Sequence, residues 1–132
     1  ATDKSNEALK IAKLNTHNEI NFYCGDWFDA VPDEKFDLIV SNPPYIDDHD
    51  PHLDNLKYEP LEALISGSNG LDDIRIIINE SPKYLKEGGY LLLEHGFNQQ
   101  KEIIGLLKES FFNINTYKDL NNIDRAVLAQ YK

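Results

Sequence analysis

The chain has 132 residues, 41% of them hydrophobic, a length that supports one compact domain with a real core. Its formal net charge of -10 argues against a grip on nucleic acid through phosphates, which needs clustered Lys and Arg. The single cysteine, Cys24, cannot close an internal disulfide, so a reducing, cytoplasmic setting is expected, and no apolar run approaches the ~20 residues of a membrane span.

The opening "ATDKSNEALK" reads as the last residues of a strand followed by a helix, so the chain is expected to be one part of a longer protein. Residues 5–15 are predicted helical, with Ser5 as N-cap and Ala8, Leu9, Ile11, Ala12 and Leu14 as the apolar face. "INFYC" (20–24) is a short strand rich in β-formers. "FDLIV" (36–40) and "GYLLLEH" (89–95) are nearly continuous apolar runs, the pattern of parallel strands covered on both faces. Between them, Leu71, Ile74, Ile77 and Ile78 give residues 70–86 a helical period. Pro82 interrupts that helix, Ser81 and Pro82 recap a final turn, and Gly88 with Gly89 ends it. A second amphipathic helix fits residues 98–109, and "FFNINTYKD" and "RAVLAQYK" read as a hairpin joined by "LNNID". Strands alternating with helices before a terminal hairpin predict an α/β sandwich with a mostly parallel sheet, formed by residues 1–132 as a single domain.

The stretch "SNPPY" (41–45) leaves the strand 36–40 at its carboxyl end, where open α/β sheets bind ligands. Asn42 and Pro43 each precede a proline, so two consecutive residues are held extended. The loop therefore presents two preset acceptors, the Asn42 side-chain oxygen and the Pro43 carbonyl, with the aromatic face of Tyr45 beside them. Such a site suits a planar group bearing an NH2, each N–H meeting one acceptor while the plane stacks on a ring. Amide and exocyclic amine nitrogens are poor nucleophiles that gain most from being aimed, and a cationic sulfonium methyl as electrophile needs no strong base. A rigid turn with a buried tyrosine is the plainer alternative.

An Asn/Asp-Pro-Pro-aromatic motif after a hydrophobic strand resembles the signature of S-adenosylmethionine-dependent methyltransferases that modify amino nitrogens. "GDWF" (25–28), "SNPPYI" (41–46), "YEP" (58–60), "GSNGLDDIR" (67–75), "GGYLLLEHG" (88–96) and the glutamines Gln99 and Gln100 together resemble the HemK-type protein-glutamine N5-methyltransferases, over nearly all of the chain. The resemblance implies a Rossmann-like class I methyltransferase fold with strand order 3-2-1-4-5-7-6 and a C-terminal antiparallel hairpin. It implies methylation of the glutamine of the Gly-Gly-Gln motif in peptide chain release factors, with S-adenosyl-L-methionine as cofactor and S-adenosyl-L-homocysteine as product. Asn42 and Pro43 would hold the substrate amide as the catalytic pair, with Pro44 and Tyr45 completing the substrate wall and Asn42 also bordering the cofactor. Asp3 would accept the ribose hydroxyls, with a helix N-cap as its alternative role. Asp26 and Trp27 would face the adenine, with core packing as the alternative for Trp27. Glu94 and His95 are read as structural.

The chain departs from the family at two places. No GxGxG occurs, so the first strand and the glycine-rich loop that cradles the methionine end are missing from these residues, and Lys57 stands where the family usually has arginine. Strand 1 would lie between the strand ending at Asp3 and residues 36–40. Residues 36–40, 89–95, 111–118 and 125–131 are therefore expected to form a partial sheet, with residues 1–24 packed irregularly or reliant on contacts from elsewhere. Three competing readings remain. "DDHDPHLD" (47–54) sets His49 and His52 among four aspartates, a loosely specified metal site against which the expectation is no metal. An amino-nitrogen methyltransferase of DNA or RNA would share the chemistry but needs a basic surface. An inactive scaffold fragment is the third.

Overall fold

A computed structural model describes residues 1–17, 19–49, 51, 58 and 60–132. The chain divides into two compact units, Ala1–Glu34 and Lys35–Lys132.

The first unit is a β-α-β element: β1 (Thr2–Asp3), α1 (Asn6–Leu14) and β2 (Tyr23–Cys24). β1 and β2 pair in parallel, Thr2 opposite Tyr23 and Asp3 opposite Cys24, so these two strands form a regular pair where irregular packing was one of the two expectations. Ser5 caps α1 as expected, its Oγ accepting the Ala8 N–H at 3.2 Å. The apolar stripe of α1 is only partly used: Leu9 is buried, whereas Ile11 and Leu14 are exposed.

The second unit carries a four-stranded sheet in the order β3 (Phe36–Ser41), β4 (Leu85–Glu94), β6 (Asp124–Tyr131), β5 (Phe111–Lys118). β3 runs parallel to β4, and β6 runs antiparallel to both β4 and β5, so three of the four strands share a direction. Helix α2 (Asp72–Glu80) ends in a 3-10 turn at Ser81–Lys83, the recapping that Pro82 predicts. Helix α3 (Gln100–Leu107) packs on α2 and on β5 and β6. The glycines do not end a helix. Gly88, at φ +75, and Gly89 lie inside β4, which begins at Leu85, and the pairing with β3 shifts between Phe36 and Leu38. Only a residue without Cβ adopts that φ at no cost, so Gly88 suits an irregular register.

Burial is one-sided. Leu91 and Leu93 of β4 stand opposite Ala129 and Val127 of β6, and all four are buried with Ile74, Ile77 and Ile78 of α2 and Ile103 and Leu107 of α3. The other face carries Leu38 and Val40 of β3, 50% and 64% exposed, next to Tyr90 and Leu92 of β4. The expectation that residues 36–40 are covered on both faces is thus corrected. Among the described residues β3 is an edge strand with β4 as its only partner in this sheet, and Leu38 and Val40 are exposed. Its apolar run carries the pattern of a central strand, while its present environment is that of an edge.

In residues 1–132 expressed alone, Leu93→Ala should cost about 2–5 kcal/mol, because it empties a packed site. Val40→Ala should stay within about 0.5 kcal/mol. Urea denaturation measures both, and comparable losses at the two positions would contradict the one-sided core.

Candidate active site

The parallel register puts Ser41 opposite Leu93, so the β3 exit begins beside Glu94, the last residue of β4. Asn42 is exposed there, Pro43 is fully buried, and both prolyl peptide bonds are trans. A buried pyrrolidine anchors the turn while the preceding carboxamide stays accessible. Pro44 and Tyr45 are half-buried.

Tyr45 is held at both ends. Its hydroxyl donates to Glu94 Oε1 at 3.0 Å, and its carbonyl accepts from Gln99 Nε2 at 2.9 Å. Burial first, then the hydrogen bond and charge of Glu94, push the phenol above its usual range, with Arg125 opposing in part. The phenol is therefore a protonated donor at neutral pH and no general base. One residue on, the Ile46 N–H donates to the Leu64 carbonyl at 2.8 Å, and the Ile46 carbonyl accepts from Ser66 N at 3.0 Å, a parallel bridge centred on Ile65. Gly70, at φ +67, closes the far side: a Cβ there would stand 2.2 Å from the Tyr45 carbonyl oxygen. A cleft of about 500 Å³ opens beside this turn, lined among others by Tyr45, Asn69, Phe97, Gln99, Glu102 and Arg125.

Glu94, read from the sequence as structural, holds the Tyr45 hydroxyl. His95 is fully buried; the Gly96 carbonyl can only accept, so Nδ1 donates to it at 2.9 Å, and Nε2 has no partner among the described residues. Arg125 reaches the His95 carbonyl at 3.4 Å and Asp119 at 3.3 Å, tying the hairpin loop to the β4 exit. Gln99 and Gly70 lie in segments that carry the family resemblance, but their contacts with Tyr45 are long-range and leave no local signal. Of the proposed metal ligands, His49 lies 3.5 Å from Asp48, while Asp50, His52 and Asp54 fall outside the described residues, as do Lys57 and Glu59 of the segment around "YEP". Among the described residues no group of three or more His, Cys, Asp or Glu is placed to hold a metal.

In the first unit, Asp3 is the last residue of β1, and Asp26 and Trp27 follow β2 after Gly25. Because the two strands are parallel neighbours, all three residues lie at one end of the pair, and the Gly25 N–H bonds the Asp3 carbonyl at 3.2 Å. The N-cap of α1 is Ser5, so Asp3 does not fill that alternative role; its Oδ1 accepts the Ser5 N–H at 2.7 Å. Trp27 is half-buried rather than in the core and sits at φ 43, a left-handed conformation rare for a bulky side chain. Two exposed carboxylates and an indole at the carboxyl ends of adjacent strands are a set of groups that fits a nucleoside, with acceptors for hydroxyls and for an amino group.

The family model for the methyltransferase small domain matches residues 1–124. The chain belongs to this family. Among curated proteins, this methyltransferase small domain is 47% identical to the release factor glutamine methyltransferase of Coxiella burnetii, over 98% of this chain and 49% of that one. It is 44% identical to the protein of the same description from Xylella fastidiosa strain 9a5c, over 98% of this chain and 50% of that one. The chain spans about half the length of the curated relatives it matches. Among solved structures, the ribosomal protein L11 methylase of Lactobacillus delbrueckii subsp. bulgaricus matches with TM-score 0.68 at 21% identity, over 100% of this chain and 56% of that one. The N-methyltransferase NodS of Bradyrhizobium japonicum, in complex with S-adenosyl-L-homocysteine, matches with TM-score 0.61 at 18% identity, over 98% of this chain and 63% of that one. The fold is the Rossmann-like α/β fold of class I S-adenosylmethionine-dependent methyltransferases, as the resemblance implied.

Tyr45→Phe keeps the ring and removes the hydroxyl. The folded-state pKa of the phenol lies above the ordinary tyrosine value of about 10, so its protonated form contributes stability that is complete below that pH and is lost as pH rises through the folded value. The wild type should therefore lose stability more steeply than Tyr45→Phe above about pH 10, in urea denaturation series run across that range. Parallel curves for the two proteins would remove the buried hydroxyl from the site.

Proposed function

We propose that the protein carrying these residues methylates the side-chain nitrogen (N5) of the glutamine in the Gly-Gly-Gln motif of peptide chain release factors. The observation that carries the reading is the accessible Asn42 carboxamide on a turn anchored by buried Pro43 and a doubly bonded Tyr45, in a chain whose curated relatives bear the name release factor glutamine methyltransferase. Asn42 Oδ1 and the Pro43 carbonyl accept the two N–H groups of the substrate amide, and Pro44 and Tyr45 wall it. The pair thereby orients a weak nucleophile, which is where catalysis by positioning contributes most. Tyr45 takes no proton, since its own is held by burial and by Glu94. S-Adenosyl-L-methionine, when bound, would supply an electrophilic sulfonium methyl; the amide nitrogen takes that methyl as the S–C bond breaks to leave S-adenosyl-L-homocysteine, and the displaced amide proton passes to water afterwards. Asp3 would hold its ribose hydroxyls, Asp26 and Trp27 its adenine, and Asn42 would border both ligands.

Residues 1–132 then serve as part of one catalytic domain, acting in the cytoplasm on a protein substrate, with no metal and no nucleic acid in the reaction. No helix of the described residues is long and apolar enough to cross a membrane. A further segment of the longer protein completes the cofactor site and covers the apolar face of β3. The exposure of Leu38 and Val40, and the half-length coverage of the relatives, support this.

The full-length protein, given a purified release factor and the cofactor, should add one methyl to the peptide containing Gly-Gly-Gln, read by tandem mass spectrometry. Label that appears only in RNA or DNA would overturn the substrate. Asn42→Ala should lower turnover on the order of a hundredfold, with a much smaller change in cofactor binding, because one acceptor is lost where the nucleophile is aimed. Unchanged turnover would take Asn42 out of the mechanism. In calorimetry, residues 1–132 alone should bind the cofactor far more weakly than the full-length protein; equal affinities would make the further segment unnecessary.

A further inference from the structure

We propose that Gln99 is the positioning residue of this site: its carboxamide clamps the Tyr45 carbonyl and thereby sets the pose in which Asn42 and Pro43 hold the reacting amide. The inference rests on the glutamine-methylating reading above and assigns a role to a residue whose carboxamide bonds the protein's own backbone.

Gln99 precedes α3 and is almost completely buried. Its main chain is locked, the N–H donating to the Gly96 carbonyl at 3.1 Å and the carbonyl accepting from Glu102 and Ile103, each at 3.1 Å. Oε1 accepts the Gly96 N–H at 2.8 Å, which orients the carboxamide, since the reverse orientation would set a donor against a donor. Nε2 then faces three carbonyl oxygens, of Tyr45 at 2.9 Å, Asn69 at 3.2 Å and Gly70 at 3.1 Å. Two hydrogens serve three acceptors, so at least one is shared, and no acceptor could replace the NH2 group. One side chain thus ties together the loop after β3, the turn before α2 and the turn after β4. Gly70 is shaped to this contact, because a Cβ there would also stand 2.7 Å from Nε2.

The step from clamp to chemistry is the stiffness of the segment between them. Asn42, Pro43 and Pro44 are restricted by the two prolines and lead straight into Tyr45, so the turn moves as a short lever. A shift at the Tyr45 carbonyl passes to Asn42, and misplacement by about 1 Å can cost on the order of a hundredfold in rate.

Two variants of the full-length protein test this, compared at equal folded fraction by thermal melts. Gln99→Met removes the donor at every pH and should lower kcat tenfold or more, with the KM for S-adenosyl-L-methionine held within about twofold. Gln99→Glu keeps the length; its carboxyl can donate to the Tyr45 carbonyl only when protonated, and burial raises its pKa. Its turnover relative to wild type should therefore recover as pH falls. The Ile46 amide, which shares a peptide group with the Tyr45 carbonyl, should shift in the NMR spectrum of Gln99→Glu over the same pH range. A flat turnover ratio overturns the positioning role even if Ile46 titrates, and an Ile46 resonance that does not titrate overturns the clamp whatever the turnover. If the wild type fails to methylate glutamine, the functional reading fails and the positioning role falls with it, while Ile46 still reports the clamp.

Discussion

The parallel pairing of β3 with β4 is the constraint on which residues 35–132 depend. It places Ser41 opposite Leu93, so the chain leaves β3 beside Glu94 at the carboxyl end of the sheet. The same β4 residues that hold this register, Leu91 and Leu93, are also buried, as are Ile74, Ile77 and Ile78 of α2 and Ile103 and Leu107 of α3. Moving β3 by one residue would turn Ile39 outward and take the Asn42–Tyr45 turn away from Glu94. Core packing and site geometry are therefore specified by one set of side chains.

Around that exit, rigidity comes from covalent and noncovalent sources in series. The two prolines restrict the backbone between Asn42 and Tyr45 without any contact being made. Tyr45 is then fixed at its hydroxyl by Glu94 and at its carbonyl by Gln99. Each of these bonds is worth about 1 kcal/mol net, yet part-burial makes leaving one unmade costlier than that. A half-buried phenol with a raised pKa and a buried carboxamide with a full set of partners suit the proposed aiming of a nucleophile better than a movement of protons.

The first unit follows the same logic on a smaller scale. Parallel pairing of β1 and β2 brings Asp3, Asp26 and Trp27 to one end of a β-α-β element. Here the departure from ordinary backbone is Trp27, whose left-handed φ costs about 1–3 kcal/mol and is found where surrounding structure imposes it.

Much of the architecture was legible in the sequence because it is local. The Ser5 cap, the 3.6-residue period of Ile74, Ile77 and Ile78, the Pro82 recapping turn and the hairpin at the end each depend on neighbours within a few residues. The stiffness of the Asn42–Pro44 segment is likewise written in covalent structure. Strand exposure was not legible, since the apolar run of β3 reads the same whether its second face is covered or open, and Gly88 signals a left-handed φ without saying whether it ends a helix or bends a strand. Nor were the partners of Tyr45, because Glu94 and Gln99 lie 49 and 54 residues away in sequence. Which carboxylate meets its hydroxyl and which carboxamide meets its carbonyl follow from strand register and loop path. Those are settled only when the whole hydrophobic face of the sheet is buried at once.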